Sequence, residues 1–260
     1  MLSNRNNLRS VNANNASAVR SKKIIDDKTK FDVLEAYKAA RTNLMFKLNS
    51  IDGHNTIVFS SYSPMDGKST TCINMGITFA QTGAKVLIID ADMRKPTVHK
   101  YLETPIKPGL SDKLGNFVND ELCIYRTSYD NLFLMPAGTL PPNPTELLIS
   151  DNMSNLLDTL SPLFDYILVD APPIGVVTDA SIIGSKTKGI VMILKGGKTR
   201  TEHIKDSIDS LEKAGARLIG CMLNSFSKSG KSYKYRKYGS YYNYNDNGSY
   251  YNYNDNIYSN

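Results

Sequence analysis

The clearest chemistry in the sequence sits in eight consecutive residues, Ser63-Pro64-Met65-Asp66-Gly67-Lys68-Ser69-Thr70. They follow an apolar run, TIVFSS at 56–61, and open a stretch with helical spacing. A loop so placed turns backbone N–H groups inward, and the N-terminus of the following helix favours anions. Lys68 then reaches the outer phosphates of a nucleotide, and Ser69 offers its hydroxyl to Mg²⁺. The strict form of the motif begins with glycine six residues before the lysine, where this chain has Tyr62. By itself, Gly-Lys-Ser also fits an ordinary glycine turn before a helix.

Acidic residues at the ends of two other apolar runs make the phosphate reading sharper. VLIID ends in Asp90 and continues as Ala91-Asp92-Met93-Arg94. Two carboxylates two residues apart share a direction if the strand persists, which suits work around one cation. YILVD ends in Asp170 and runs into Ala171-Pro172-Pro173. That is a Walker B arrangement, with a carboxylate held near Mg²⁺. A single Asp at a strand end is more often a turn or helix cap. Three beside a phosphate loop point to a metal-nucleotide site with ATP and Mg²⁺ as its ligands.

The elements that must hold these residues alternate along the chain. Strands are expected at 56–61, 85–90, 131–135, 166–170, 189–194 and 217–223, several as continuous apolar runs of the kind buried on both faces of a parallel sheet. Helices fit a start near Lys30 or Phe31 and the spans 69–82, 145–160, 179–186 and 200–214. The fold class is therefore α/β, a P-loop NTPase with a mostly parallel sheet flanked by helices on both faces. Such sheets bind ligands at the carboxyl ends of their strands.

Both ends depart from this pattern. Residues 1–30 are Asn- and Ser-rich and carry seven Lys or Arg against Asp26 and Asp27, a net +5, and read as a flexible basic tail. Residues 229–260 hold a nine-residue unit, GSYYNYNDN, repeated identically at 239–247 and 248–256. Ten of the sixteen tyrosines fall between 233 and 258, in a segment whose mixture of Tyr, Asn, Asp and Gly reads as disordered low-complexity sequence. The body between the tails, 31–228, is nearly neutral. Basic tails on a neutral body suit an anionic membrane surface or an acidic partner, or simply solvent. No nucleic-acid reader motif is present. No apolar run of about 18 residues marks a membrane span. Cys72, Cys123 and Cys221 are isolated and odd in number, which favours a reducing cytoplasm over a disulfide framework.

The combination resembles the bacterial tyrosine kinases of capsule and exopolysaccharide synthesis, in the form where the kinase is a separate cytoplasmic chain. The resemblance spans about 31–260. It is carried chiefly by four aliphatics followed by D-x-D-x-R, met by Val86–Ile89, Asp90, Asp92 and Arg94. GLSD at 109–112, MPAGTLPPNPTELL at 135–148, the segment 164–180 and the tyrosine cluster support it. The resemblance implies that Lys68, Asp90, Asp92 and Asp170 are catalytic and that Ser63–Thr70 bind the nucleotide. It gives Ser69, Asp92 and Asp170 to the metal, with Asp90 first in line to accept a tyrosine proton. Tyr233, Tyr235, Tyr238, Tyr241, Tyr242, Tyr244, Tyr250, Tyr251, Tyr253 and Tyr258 become the phosphoacceptors. That family's ring-assembly motif, E-x-x-R-x-x-R, falls on Glu35, Lys38 and Arg41, expected on one exposed helical face. Lys38 keeps the charge of the central arginine and loses its planar fork. The implied partners are a transmembrane regulator of polysaccharide chain length, a cognate tyrosine phosphatase and further copies of the chain in a ring, which places the kinase at the inner face of the membrane.

Two other readings share the phosphate loop. A partitioning-type ATPase switch carries a signature lysine five residues before the loop lysine, where this chain has Ser63. A nucleotide-gated scaffold would bind ATP yet place no phosphate on the tail.

Overall fold

The structure, a computed structural model, describes residues 24–118 and 122–225. Strands β1 (Thr56–Ser61), β2 (Val86–Asp90), β3 (Tyr125–Arg126), β4 (Leu132–Met135), β5 (Tyr166–Asp170), β6 (Ile190–Lys195) and β7 (Leu218–Asn224) form one sheet in the order β3-β4-β2-β5-β1-β6-β7. Every neighbouring pair is parallel except β3, which runs antiparallel to β4. The helices are α1 (Phe31–Asn49), α2 (Lys68–Ala80), α3 (Val98–Tyr101), α4 (Leu110–Leu114), α5 (Pro144–Ile149), α6 (Asp151–Leu160), α7 (Asp179–Ser185) and α8 (Thr201–Lys213).

Successive side chains of a strand leave on opposite faces, so strands buried on both sides must be apolar throughout. The two cores follow that rule. Ile57, Phe59, Val86, Ile88 and Leu168 pack with Leu44 and Leu48 of α1 and with Cys72, Ile73 and Met75 of α2. Val58, Leu87, Ile89, Ile167 and Val169 pack on the other face with Leu110, Leu148, Leu156, Ile183 and Leu211 from α4 to α8. Burying one such aliphatic side chain stabilises the fold by about 1.5–3 kcal/mol.

The structure departs from the sequence expectations in several places, among them two short helices, α3 and α4, that no expected span covers. The single helix expected over 145–160 is two, because Ser150 adopts an extended backbone (φ −57°, ψ 157°) between α5 and α6. Its hydroxyl turns back to the Leu147 carbonyl at 2.7 Å. The flexible tail expected through residue 30 stops short, since Ile24 and Ile25 are buried in the core beside α2. The Ile25 N–H donates to Asn74 Oδ1, and the Ile25 carbonyl accepts the Tyr129 hydroxyl, both at 3.0 Å. Asp26 and Thr29 then close a turn that leads into α1. The two-residue edge strand β3 was not expected at all. Residues 1–23 and the tyrosines of 233–258 lie outside the described residues.

Candidate active site

Sheet order assembles the site. β5 lies between β1 and β2, so the loop after β1 and the carboxylates ending β2 and β5 emerge side by side. In register, Asp90 stands opposite Asp170, and Asp170 stands opposite Phe59 near the end of β1. The loop itself uses left-handed backbone at Met65 (φ 65°) and at Gly67 (φ 98°). A Cβ at Gly67 would run into the side-chain amide of Asn224. The Gly67 carbonyl accepts the Thr71 N–H at 2.9 Å and starts α2. The first turn of α2, from Lys68 through Ser69 and Thr70, therefore presents N–H groups that have no helical partner.

Lys68 is nearly buried, and its ammonium stands among acids. Nζ lies 2.9 Å from Asp92 Oδ2, 3.4 Å from both oxygens of Asp170 and 3.2 Å from Ser69 Oγ. Burial works to lower the lysine's proton affinity. The fields of Asp170, Asp92 and Asp90 outweigh it and hold the ammonium charged above the ordinary lysine range. Asp170 is pushed up by its complete burial, against the opposing pull of Lys68 and the Ser69 hydroxyl.

β2 ends at Asp90, the ladder continues for one more bond from the Ala91 N–H to the Asp170 carbonyl, and a turn begins at Asp92, so the two carboxylates have different partners. Asp92 Oδ1 accepts the Lys95 N–H at 3.1 Å, leaving Oδ2 for Lys68. Asp90 is fully buried, and backbone donors take both its oxygens: Asp92 N–H at 3.2 Å on Oδ1, and Thr97 and Val98 N–H at 3.1 Å on Oδ2. Burial, then the neighbouring Asp170 charge, raises its pKa to about 8 against Lys68 and the Val98 N–H. Asp90 thus holds the 92–98 turn and α3 in place, while Asp92 and Asp170 converge on the cation.

Mg²⁺ at nucleotide sites takes one or two carboxylates and completes its octahedron with phosphate oxygens and water. Asp92, Asp170 and Ser69 form such a set of hard oxygen donors, and the Lys68 ammonium stands where they converge. Among the described residues no group of three His, Cys, Asp or Glu closes on a single point.

Surrounding motifs lock this geometry. Arg94 Nε pairs with the buried Asp179 at 3.1 Å, its Nη2 reaches Thr145 Oγ1 at 3.0 Å, and Thr145 Oγ1 donates to Asp179 at 2.7 Å. The 109–112 and 135–148 segments interlock through Asp112, whose Oδ2 accepts Gly109 N–H at 2.8 Å and Thr139 N–H at 3.1 Å. Sequence reasoning missed Thr145 and Asp179, and also Lys195, Lys198 and Asn224, which reach the phosphate loop from β6 and β7. A GGK turn after an apolar strand and an Asn at the end of LIGCMLN were the available signals.

On α1 the three motif residues are half-buried rather than exposed. Lys38 pairs with Glu35 at 2.8 Å, and Arg41 Nη1 donates to the Thr78 carbonyl of its own chain at 2.6 Å. The guanidinium thus leans onto the carboxyl end of α2 instead of standing free.

Fold and site together define a P-loop nucleotide-binding domain, and a family model described as an AAA domain matches residues 55–214. The tyrosine-protein kinase YwqD of Bacillus subtilis is 36% identical over 204 residues, covering 77% of this chain and 84% of that protein. The kinase domain of the Escherichia coli tyrosine kinase ETK superposes with a TM-score of 0.72 at 29% identity, covering 79% of this chain and 80% of its own. The chimerical protein CapA2B2 superposes with a TM-score of 0.69 at 35% identity, over 74% of this chain and 84% of that one. The chain belongs to the bacterial tyrosine kinases, and its activity is that of a protein-tyrosine kinase.

Proposed function

We propose that this kinase transfers the γ-phosphoryl group of ATP to tyrosines 233–258 of neighbouring copies and so regulates capsule or exopolysaccharide synthesis and export. The observation that carries the proposal is the convergence of Asp92 and Asp170 on Lys68 at the phosphate loop, with Asp90 buried behind them. Ser63–Thr70 would wrap the phosphates, with Lys68 neutralising the transferring group. Mg²⁺ would be held by Ser69, Asp92 and Asp170, and when bound it neutralises charge that develops on the phosphoryl oxygens. A phenol has a pKa of about 10, and a loose transition state calls for little early deprotonation, so positioning matters more than base strength. We assign Asp90 to positioning, because three N–H groups already occupy its carboxylate.

On this reading, 31–228 is the kinase domain and 229–260 the acceptor tail, with residues 1–30 as a basic N-terminal tail. Among the described residues no helix is long and apolar enough to cross a membrane. Attachment would come from a transmembrane chain-length regulator that also activates the kinase, aided by the +5 charge of residues 1–30. Glu35, Lys38 and Arg41 would contribute to a ring of subunits, and a tyrosine phosphatase would reset it.

The test mixes a full-length Lys68→Met chain with an active chain truncated after residue 228, labelled ATP and the regulator's cytoplasmic segment. Label on tyrosines 233–258 of the inactive chain is expected. ATP binding without any transfer to those tyrosines would leave a nucleotide-gated scaffold as the better account.

A further inference from the structure

β6 and β7 contribute nothing to the carboxylate cage, yet both end against the phosphate loop. Lys195 Nζ donates to the Met65 carbonyl at 3.2 Å. Lys198 Nζ, from the turn after β6, donates to the Pro64 carbonyl at 3.2 Å and to Asp66 Oδ1 at 2.8 Å. Asn224 Nδ2, at the end of β7, donates to the Asp66 carbonyl at 3.0 Å. The carbonyls of residues 64, 65 and 66 are thus each held from outside the loop.

Asp66 needs a reason to be there. It is a carboxylate, 2% exposed, inside a loop that receives polyphosphate. Its Oδ2 accepts the Ser63 N–H at 3.2 Å, which shapes the loop, but an uncompensated anion at this point opposes the ligand. Lys198 is the partner that cancels the charge, and its side chain is 48% exposed. Ion pairs with one well-solvated member add little to stability. Their effect on a charged ligand nearby is larger, because ligand and carboxylate share one field.

We propose that Lys198 is a positioning residue for ATP. It neutralises Asp66 and, with Asn224, pins residues 64–66 so that the loop accepts phosphate. This rests on reading residues 63–70 as the phosphate site, and the experiment separates the two.

Fluorescent ATP is titrated into full-length wild type, Lys198→Met, Lys198→Arg, the double variant Asp66→Asn/Lys198→Met, and Lys68→Met, with thermal melting of each. Lys198→Met should weaken binding by about ten- to hundredfold while melting close to wild type. The loss should fall on KM for ATP much more than on kcat. Lys198→Arg should recover most of the affinity, and the double variant should recover at least about tenfold of it, because the opposing anion is gone. Lys198→Met binding like wild type, or melting far below it, would overturn the proposal. A double variant as weak as Lys198→Met would also overturn it, by putting Lys198 directly on the nucleotide. Unchanged binding by Lys68→Met would instead remove the phosphate-site reading itself.

Discussion

Replacing Lys68 with methionine should cost stability as well as activity, and the structure sets the size and the pH dependence of that cost. The ammonium serves three acids, of which Asp90 and Asp170 are fully buried and Asp92 nearly so. Without it Asp90 keeps its three N–H donors and Asp92 keeps the Lys95 N–H, but among the described residues no other cation pairs with any of them. Removing one partner from a buried ion pair costs about 3–5 kcal/mol, a large part of the roughly 5–15 kcal/mol that holds a domain folded. With a urea m-value of about 2 kcal/mol/M, the midpoint should fall by about 1.5–2.5 M. The pH dependence follows from the raised carboxylates. Asp90 already stands near 8 with Lys68 pulling it down, and Asp170 is raised as well. In the variant both rise further, so the folded chain keeps protons that the unfolded chain releases near 4. A native state that binds more protons loses stability as pH rises, here from about pH 4 up through the folded pKa at about 8 and above. The gap between variant and wild type should therefore be larger at about pH 9 than at about pH 6 in urea unfolding followed by circular dichroism. Equal midpoints at the higher pH, or a gap that widens on acidification, would refute the cage as described.

Other outcomes follow from the same geometry. Asp90→Asn places an amide among the Asp92, Thr97 and Val98 N–H groups and should lose about 1–3 kcal/mol in thermal unfolding; Asp92→Asn should lose turnover with a smaller change in melting, and a wild-type melting curve for Asp90→Asn would contradict its positioning role. Replacing Glu35, Lys38 and Arg41 together with alanine should shift the unphosphorylated chain towards monomer in sedimentation, and an unchanged profile would leave those residues with only their intrachain contacts. Tail phosphorylation should lower the sedimenting mass, because each phosphate adds about −1.5 to −2 charges and two overturn the tail's net +2. A stable ring carrying several phosphotyrosines would exclude that charge-driven release.

The parallel strands were legible because VLII at 86–89, ILV at 167–169 and IVMIL at 190–194 are apolar at every position, as burial on both faces demands. The break at Ser150 was not, since Leu147, Leu148, Met153, Leu156 and Leu157 keep an apolar periodicity straight across it. Ile24 and Ile25 are an adjacent pair of bulky aliphatics in a largely polar stretch, a signal outweighed by the composition around them. Lys68, Asp90 and Asp170 could be found because each lies at the end of a local pattern. Lys198 and Asn224 meet Asp66 from 132 and 158 residues away, a proximity that depends on β6 and β7 lying beyond β1 in the sheet. The differing jobs of Asp90 and Asp92 depended on a turn after β2 that no spacing rule specifies.

The Arg41 contact also ties two distant surfaces to the ends of one dipole. α2 runs 13 residues, about 20 Å, from the phosphate loop to Ala80. Its amino end carries partial positive charge and its carboxyl end partial negative charge. The Arg41 guanidinium lies on that negative end, at a carbonyl of the last turn. A neighbouring subunit that drew Arg41 away would uncover this end and change the helix energy by about 0.3–1 kcal/mol. That is too small to switch the enzyme by itself, but it is a continuous adjustment. Subunit packing would tune the rod that presents ATP's phosphates with its first turn, without any residue moving at the phosphates.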